Sequence, residues 1–318
     1  MNLVKFSFGS VALLFVLTYL FQVEIFNEYH ETWASSAEPA KALKSPLDVA
    51  IDPSSGNVYV ADSGNNRVQE FSPNGTYITL WGTEGSENGQ FRVPSGLDTD
   101  ASGNVYVADR YNNRIQEFSP NGTYITSLGV VGTENGQFKI PLGVAIEGHS
   151  GNVYVADSGN NRVQEFSPNG TYITSWGTVG SENGQFGLPA GLDTDASGNV
   201  YVADIRNNRV QEFSPNGTYI TSWGVVGSEN GQFKYPSAVA IDSRSGNVYV
   251  ADTENHRIQI FSPSGKYLGS WGEIGPQNGH FVSPTGLDID NAGNVYVADT
   301  ANHRIQIFSP SGTYLGSW

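Results

Sequence analysis

The hexapeptide Asn-Val-Tyr-Val-Ala-Asp occurs six times, beginning at Asn57, Asn104, Asn152, Asn199, Asn247 and Asn294, at intervals of 47 or 48 residues. A period of that length marks a repeat array, in which each unit buries its apolar faces only against its neighbours. The period runs from about residue 46 to the end, so the 318 residues are read as one closed array and not as two average domains. The 38 Gly and 15 Pro recur at set places between apolar runs, which makes them strand punctuation and not a sign of disorder.

Each repeat holds four strand-length segments, a to d. In the first copy they are Asp48-Val-Ala-Ile51, Val58-Tyr-Val-Ala61, Arg67-Val-Gln-Glu-Phe71 and Tyr77-Ile-Thr-Leu-Trp81, rich in β-branched and aromatic residues and bounded by Gly, Pro, Asn and Asp. The a-b join (Ser55-Gly56-Asn57) and the c-d join (Pro73-Asn74-Gly75) are tight turns, the latter an Asn-Gly hairpin turn. Four antiparallel strands therefore make one small twisted sheet. Strand b is apolar on both alternating faces, Val58 and Val60 against Tyr59 and Ala61, so each sheet must be covered on both sides, as happens when sheets stack around an axis. Because antiparallel strands reverse direction, the a-b and c-d turns share one face of the ring and the b-c and d-a loops the other.

The words Gly-Asn-Val-Tyr-Val-Ala-Asp, Asn-Gly-Gln-Phe and Gly-x-Tyr-Leu-x-x-Trp-Gly, with Asn255-His256-Arg257-Ile258 and Asn302-His303-Arg304-Ile305, resemble NHL repeats. The resemblance covers residues 46 to 318 and implies an all-β fold, a six-bladed β-propeller of four-stranded antiparallel blades with strand a innermost. The expected repeats are about 46–93, 94–140, 141–188, 189–235, 236–283 and 284–318. Blades one and six are each contiguous in sequence, so the ring is expected to close by side-chain packing without a shared strand, with that junction its weakest seam. Odd blades read Val-Ala-Ile in strand a (Val49, Val144, Val239) and even blades Leu-Asp-Thr or Leu-Asp-Ile (Leu97, Leu192, Leu287), which makes a two-blade unit used three times.

Ahead of the repeats, residues 6 to 23 carry no charge, with Lys5 before them and Glu24, Glu28 and Glu31 after. A run of 18 apolar residues reaches the lower limit for a spanning helix and exceeds a usual signal-peptide core. Residues 1–23 are therefore expected to be an N-terminal apolar helix acting as a signal-anchor, or a cleaved signal peptide, and residues 24–45 a stalk. Lys5 inside and the acids outside place the propeller at the cell surface, or secreted if the segment is cleaved. The absence of cysteine excludes disulfides, thiol catalysis and Cys-ligated zinc. The net charge of −15 argues against a nucleic-acid partner.

A residue present in every blade cannot by itself mark one site, because a single site must break the ring's symmetry. Asp62 and Arg67, with their five counterpart pairs, are therefore read as structural groups flanking the b-c loop, and Phe91, Phe138, Phe186, Phe233 and Phe281 as packing between blades. By resemblance, amidating lyases and six-bladed lactonases and lyases hold zinc or calcium near the central channel with His or acid ligands. Here His256 and His303 occupy the position of Asn66, Asn113, Asn161 and Asn208, and with His30, His149 and His280 they form no three-ligand set on one rim. Strand a does carry Asp98, Asp193 and Asp288 alternating with Ala50, Ala145 and Ala240. Read functionally, these oxygen ligands suit Ca2+ or Mg2+ in the channel; read structurally, each bonds a neighbouring blade. Asn74, Asn121, Asn169 and Asn216 open Asn-Gly-Thr words that fit N-glycosylation as well as the hairpin turn.

Near-identical blades differ most on the loop face. Arg110-Tyr111 and Ile205-Arg206 replace Ser-Gly in the b-c loop, and the d-a loop varies through Arg92, Lys139, Gly187, Lys234 and Val282. Arg and Tyr are enriched in interface hot spots, so this face is the expected binding surface for a protein or glycan ligand, while drift in exposed loops is the plainer explanation. The expected function is a non-catalytic binding or scaffold module that requires no cofactor; the alternative is a propeller enzyme of the lyase or lactonase type with a divalent metal in the channel.

Overall fold

The structure, a computed structural model, describes residues 41–318; the apolar run 6–23 and the rest of the chain up to residue 40 lie outside the described residues. Among the described residues no helix is long and apolar enough to cross a membrane. The propeller occupies Leu43–Trp318. Its 24 strands form six four-stranded sheets, each contiguous in sequence.

Blade one is β1 (Asp48–Ile51), β2 (Val58–Asp62), β3 (Arg67–Phe71) and β4 (Tyr77–Trp81), and blade two is β5 (Pro94–Thr99), β6 (Val105–Asp109), β7 (Arg114–Phe118) and β8 (Tyr124–Leu128). Blade three is β9 (Gly143–Ile146), β10 (Val153–Asp157), β11 (Arg162–Phe166) and β12 (Tyr172–Trp176), and blade four is β13 (Pro189–Thr194), β14 (Val200–Asp204), β15 (Arg209–Phe213) and β16 (Tyr219–Trp223). Blade five is β17 (Pro236–Ile241), β18 (Val248–Asp252), β19 (Arg257–Phe261) and β20 (Tyr267–Trp271), and blade six is β21 (Pro284–Ile289), β22 (Val295–Asp299), β23 (Arg304–Phe308) and β24 (Tyr314–Ser317). Every pairing is antiparallel; in blade one Val49 stands opposite Val60 and Asp62 opposite Arg67. The first strand of each blade packs on the first strand of the next, and β21 returns to β1, so these six strands line the axis.

The second strand explains why the sheets stack. All five residues of β2 are buried, with Val58 and Val60 facing Tyr296 and Ala298 of blade six and Tyr59 and Ala61 facing Leu97 and Val107 of blade two. A sheet apolar on both faces has no stable single-layer form, and at about 1.5–3 kcal/mol per buried large side chain the six interfaces supply the core. Between blades the rings repeat one arrangement: Trp81 stands 5.9 Å from Tyr59 of its own blade and 5.9 Å from Phe118 of the next. Phe91 fills the remaining space and is fully buried. A Cβ at Gly82, which sits at φ +101°, would lie 2.5 Å from the Phe91 ring, so that turn needs glycine on two counts. At the axis, a Cβ on Gly96 would lie 2.6 Å from Gly143 Cα, which is how closely neighbouring inner strands approach.

The seam uses the same parts. Trp318 exchanges backbone hydrogen bonds with Ile305 at 2.9 and 3.1 Å and sets its ring 5.5 Å from Phe71 of blade one and 6.1 Å from Tyr296 of its own. Leu43 joins this cluster in the place that Phe91 holds one blade later. Lys44 N–H donates to Asp62 at 2.7 Å and Ser45 N–H to His303 Nδ1 at 2.9 Å. Residues 43–45, read from sequence as the end of a stalk, are thus part of the ring: they take the place that the end of a d-a loop holds between the other blades.

Candidate functional site

The six Asp-Arg pairs are internal joinery. Asp109 is fully buried and accepts Arg114 Nε at 2.8 Å, Gln116 Nε2 at 3.0 Å, Asn112 Nδ2 and the Arg92 N–H at 2.8 Å. Arg114 Nη2 then reaches the carbonyls of Glu87 and Gln90 at 2.7 and 3.0 Å, so one buried carboxylate pins the d-a loop that arrives from the preceding blade. The same contacts recur about Asp157, Asp204, Asp252 and Asp299. These groups are consumed by the fold.

The acids of strand a face the channel. Asp98 accepts its two bonds from the N–H of Thr99 and of Ile146 in the next blade, both at 2.7 Å. Asp193 does so from Thr194 and Ile241 at 2.6 and 2.7 Å, and Asp288 from Ile289 and, across the seam, Ile51 at 2.6 and 2.7 Å. Each therefore links its blade to the next by a charge-capable hydrogen bond. A fourth acid, Asp48, was not singled out in the sequence. It stands where the other blades have Gly96, Gly143, Gly191, Ala238 and Gly286, and accepts Leu97 N–H at 3.1 Å. It was legible by the symmetry rule itself, being the one acid in that column. Together the four acids line an axial cavity of about 40 Å³, a space for a few waters where one water needs roughly 10–15 Å³.

Burial is the main cause that pushes these acids up: Asp48 to about 8, Asp193 to about 7 and Asp288 to about 6. Asp98 is raised well above its ordinary value by burial and then by the Asp288 and Asp193 charges. Bonds from Leu97 and Val49 N–H oppose the rise at Asp48, while Asp288 and Asp193 add to it. Asp98, Asp193 and Asp288, the expected ligands of a divalent ion, are brought to the wall of the axial cavity. Both oxygens of each are engaged with backbone N–H groups, and among the described residues no group of three or more His, Asp or Glu is spaced to hold a metal.

The loop face is built from the residue that follows each buried Phe or Leu. Its N–H donates to the buried Asp and its carbonyl accepts from the b-c loop, as Arg92 O does from Tyr111 N at 3.1 Å, so its side chain stands beside that loop. Lys44, Arg92, Lys139, Arg206 and Lys234 are exposed, and Arg110, Tyr111 and Ile205 are half-buried. Arg110 lies over the Tyr111 ring at 5.0 Å, and Lys234 pairs with Glu254 at 2.8 Å. In every loop but the one entering blade four, where Leu188 stands, the next residue is left-handed without being glycine, as at Val93 (φ 55°), Ile140 (51°) and Tyr235 (54°). For β-branched residues this is strained, and N–H bonds to Asn66, Asn113 and Asn208 of the preceding blades, at 2.8–3.0 Å, hold it.

Two of the histidines serve as acceptors. His256 Nδ1 accepts Ser283 N–H at 3.1 Å and His303 accepts Ser45 N–H, as Asn66 does for Val93. His149 is exposed, its imidazole 3.5 Å from Glu147. Asn74, Asn121, Asn169 and Asn216 are exposed on the turn face, and each uses its Oδ1 within its own hairpin turn.

Two family models match the chain: NHL repeat over residues 43–71, 91–118, 233–261 and 281–308, and SMP-30/Gluconolactonase/LRE-like region over residues 130–229. A segment of 57 residues is 53% identical to peptidyl-glycine alpha-amidating monooxygenase B of Xenopus laevis; it is 16% of this chain and 6% of that protein, so the chain spans a small fraction of the curated relatives it matches. Among solved structures, virginiamycin B lyase from Staphylococcus aureus superposes with a TM-score of 0.57 at 14% identity, covering 85% of this chain and 81% of that one. A gluconolactonase from Xanthomonas campestris gives 0.61 at 12% identity, covering 81% and 84%. At such identities the likeness is one of fold. Sheets, ring closure and repeat words agree: the chain is a six-bladed β-propeller with NHL repeats in blades one, two, five and six.

Proposed function

We propose that this propeller is a non-catalytic binding or scaffold module that presents its b-c and d-a loop face to a protein or glycan ligand. One observation carries the reading. The polar groups common to all blades are spent on buried internal bonds, and the channel acids on inter-blade N–H groups, while Arg92, Arg110, Tyr111, Lys139, Ile205 and Arg206 vary between blades that are otherwise nearly identical. The uncharged run 6–23 between Lys5 and Glu24, Glu28 and Glu31 supports attachment to a membrane with the propeller outside the cytoplasm, where the Asn-Gly-Thr turns would accept glycans on the face opposite the ligand.

A second reading, an enzyme of the lyase or lactonase type, is favoured by the SMP-30/gluconolactonase match over residues 130–229 and by the lyase and lactonase neighbours. It needs catalytic groups in a channel whose acids already hold the blades together. Pull-down with the full chain tests the first reading: Arg110→Ala, Tyr111→Ala and Arg206→Ala should each weaken partner capture, and turn-face changes at Ser102 and Ser197 should not. The reverse pattern would place the ligand on the other face. A stoichiometric divalent ion in the purified protein would favour the enzyme.

A further inference from the structure

Basic side chains are not scattered on this acidic chain. Of its 16 Lys and Arg, six are the strand-c arginines bonded to buried Asp. Among the remainder, Lys44, Arg92, Arg110, Lys139 and Arg206 fall on one face and in one arc, over blades one to four. Blade five closes the arc with a neutral pair, Lys234 to Glu254, and blade six carries Val282, Thr300 and Ala301 at the corresponding places. Among the described residues no carboxylate is paired with Arg92, Lys139 or Arg206. The arc therefore breaks both the sixfold and the threefold pattern, as a single site must.

Acids are segregated from it. The a-b turn acids, such as Asp52, Asp100 and Glu147, lie on the opposite face and are bonded within their own turns. On the loop face itself the exposed glutamates Glu87, Glu134, Glu182 and Glu229 lie outward. Their backbone carbonyls accept from, or lie next to, the strand-c arginines of the following blade, two strands from the axis. The result is a cationic arc with Tyr111 and Ile205 set in it, bordered by these four glutamates.

We propose that this arc binds a short acidic polypeptide segment carrying an apolar or aromatic anchor. This rests on the loop face being the binding face and adds the chemistry of its ligand. Exposed carboxylates would pair with Arg92, Lys139 and Arg206, and the anchor would settle on Tyr111 beside Arg110. Length is limited by this border: an anion long enough to cross it meets the glutamates, which disfavours a nucleic acid.

The test uses the full chain and fluorescence anisotropy with three labelled probes: a short Asp/Glu peptide with a central Trp, its Asn/Gln counterpart, and a single-stranded RNA of similar length. Each exposed ion pair contributes a factor of about two, so Arg92→Gln with Lys139→Gln and Arg206→Gln should weaken the acidic peptide about ten-fold. Raising salt from about 50 to about 500 mM should weaken it likewise. Lys266→Gln, on the turn face, should leave it unchanged, and the melting temperature of the triple variant should match the parent. The proposal is overturned if the acidic peptide does not bind, if its Asn/Gln counterpart binds as well, if the triple variant binds normally, or if the RNA competes equally. Should Tyr111→Ala reduce capture of a natural partner while the acidic peptide is indifferent to the arc, the ligand class fails and the loop face stands; if neither responds, both fail.

Discussion

Asp48→Asn gives the sharpest test of how the channel is held. Asp48 bonds Leu97 N–H of the next blade at 3.1 Å and has its carboxyl pushed up to about 8 by burial, with smaller contributions from the Asp288 and Asp193 charges. A folded-state value above the unfolded one means that the native state carries a proton the unfolded chain lacks, between about pH 4 and pH 8. Stability from this site is complete below that window and is lost as pH rises through it. From 3.8 to about 8 is a shift of about four units, ~6 kcal/mol at about 1.4 kcal/mol per unit were the carboxyl wholly cut off from water. Because the four acids titrate together that figure is an upper bound, and about 2–3 kcal/mol is expected.

Asparagine keeps the oxygen that Leu97 needs and cannot ionise. The variant should therefore melt with the parent at about pH 4, the foot of that window, and about 5 °C above it at about pH 9, at about 2 °C per kcal/mol for a domain of this size. Thermal melts followed by tryptophan fluorescence at about pH 4, 7 and 9 measure this. Asp52→Asn is the control of opposite sign. Burial alone would raise Asp52, but the hydroxyls and N–H groups of Ser55 and Ser54 outweigh it and hold the carboxyl below its ordinary value, so that variant should lose stability above about pH 4. Parallel melting curves for Asp48→Asn and the parent across the whole range would show that Asp48 carries no buried charge, and the reasoning would fail.

Asp157→Ala strands the Arg162 guanidinium, Gln164 and the Lys139 N–H at once, and should cost about 3–5 kcal/mol, read as a fall in denaturant midpoint. Millimolar calcium should leave the melting temperature unchanged, because the Asp98, Asp193 and Asp288 oxygens already accept backbone bonds; a rise that disappears in the triple Asp→Asn variant would show a cation site instead. Burial holds the His256 imidazole below its ordinary value and its neutral Nδ1 accepts Ser283 N–H, so stability should fall as pH drops below about 6.5; His256→Asn, the residue of four other blades, should remove that part of the acid loss. Trp318→Ala removes the ring that joins Tyr296 to Phe71 and should cost about 1–3 kcal/mol by melting, with unfolding initiated at the seam.

The fold was readable because its information is local and repeated. Val58-Tyr-Val-Ala-Asp62 is apolar on both faces, and that alone demands two neighbouring sheets; six copies then demand a ring. The Asp62 and Arg67 assignment needed only the argument that symmetry and a single site exclude each other. The start of the ring was harder, because Leu43 does the work of a phenylalanine and no word in the sequence ties it to Phe91; its equivalence lies in the space it fills and in the Ser45 to His303 bond across the seam.

The channel shows where periodic reasoning loses resolution. Asp98, Asp193 and Asp288 stood out by alternating with alanine, and the same alternation hid their purpose, since the partner of each is a backbone N–H one blade on, a group every sequence has. Asp48 is the converse. It is one residue in a column of small ones, and the physical reason for that column is steric: a Cβ at Gly286 would overlap Asp48 itself, and one at Gly96 would meet Gly143. Blade one can carry a side chain there only because blade six does not. A threefold duplication explains the three acids that bind blade to blade; it does not explain Asp48. The residue that departs from the repeat sits in blade one, next to the junction with blade six, with Ile51 held by Asp288 on one side and Leu97 held by Asp48 on the other. The closure of the ring and the acids of its axis therefore meet in blade one.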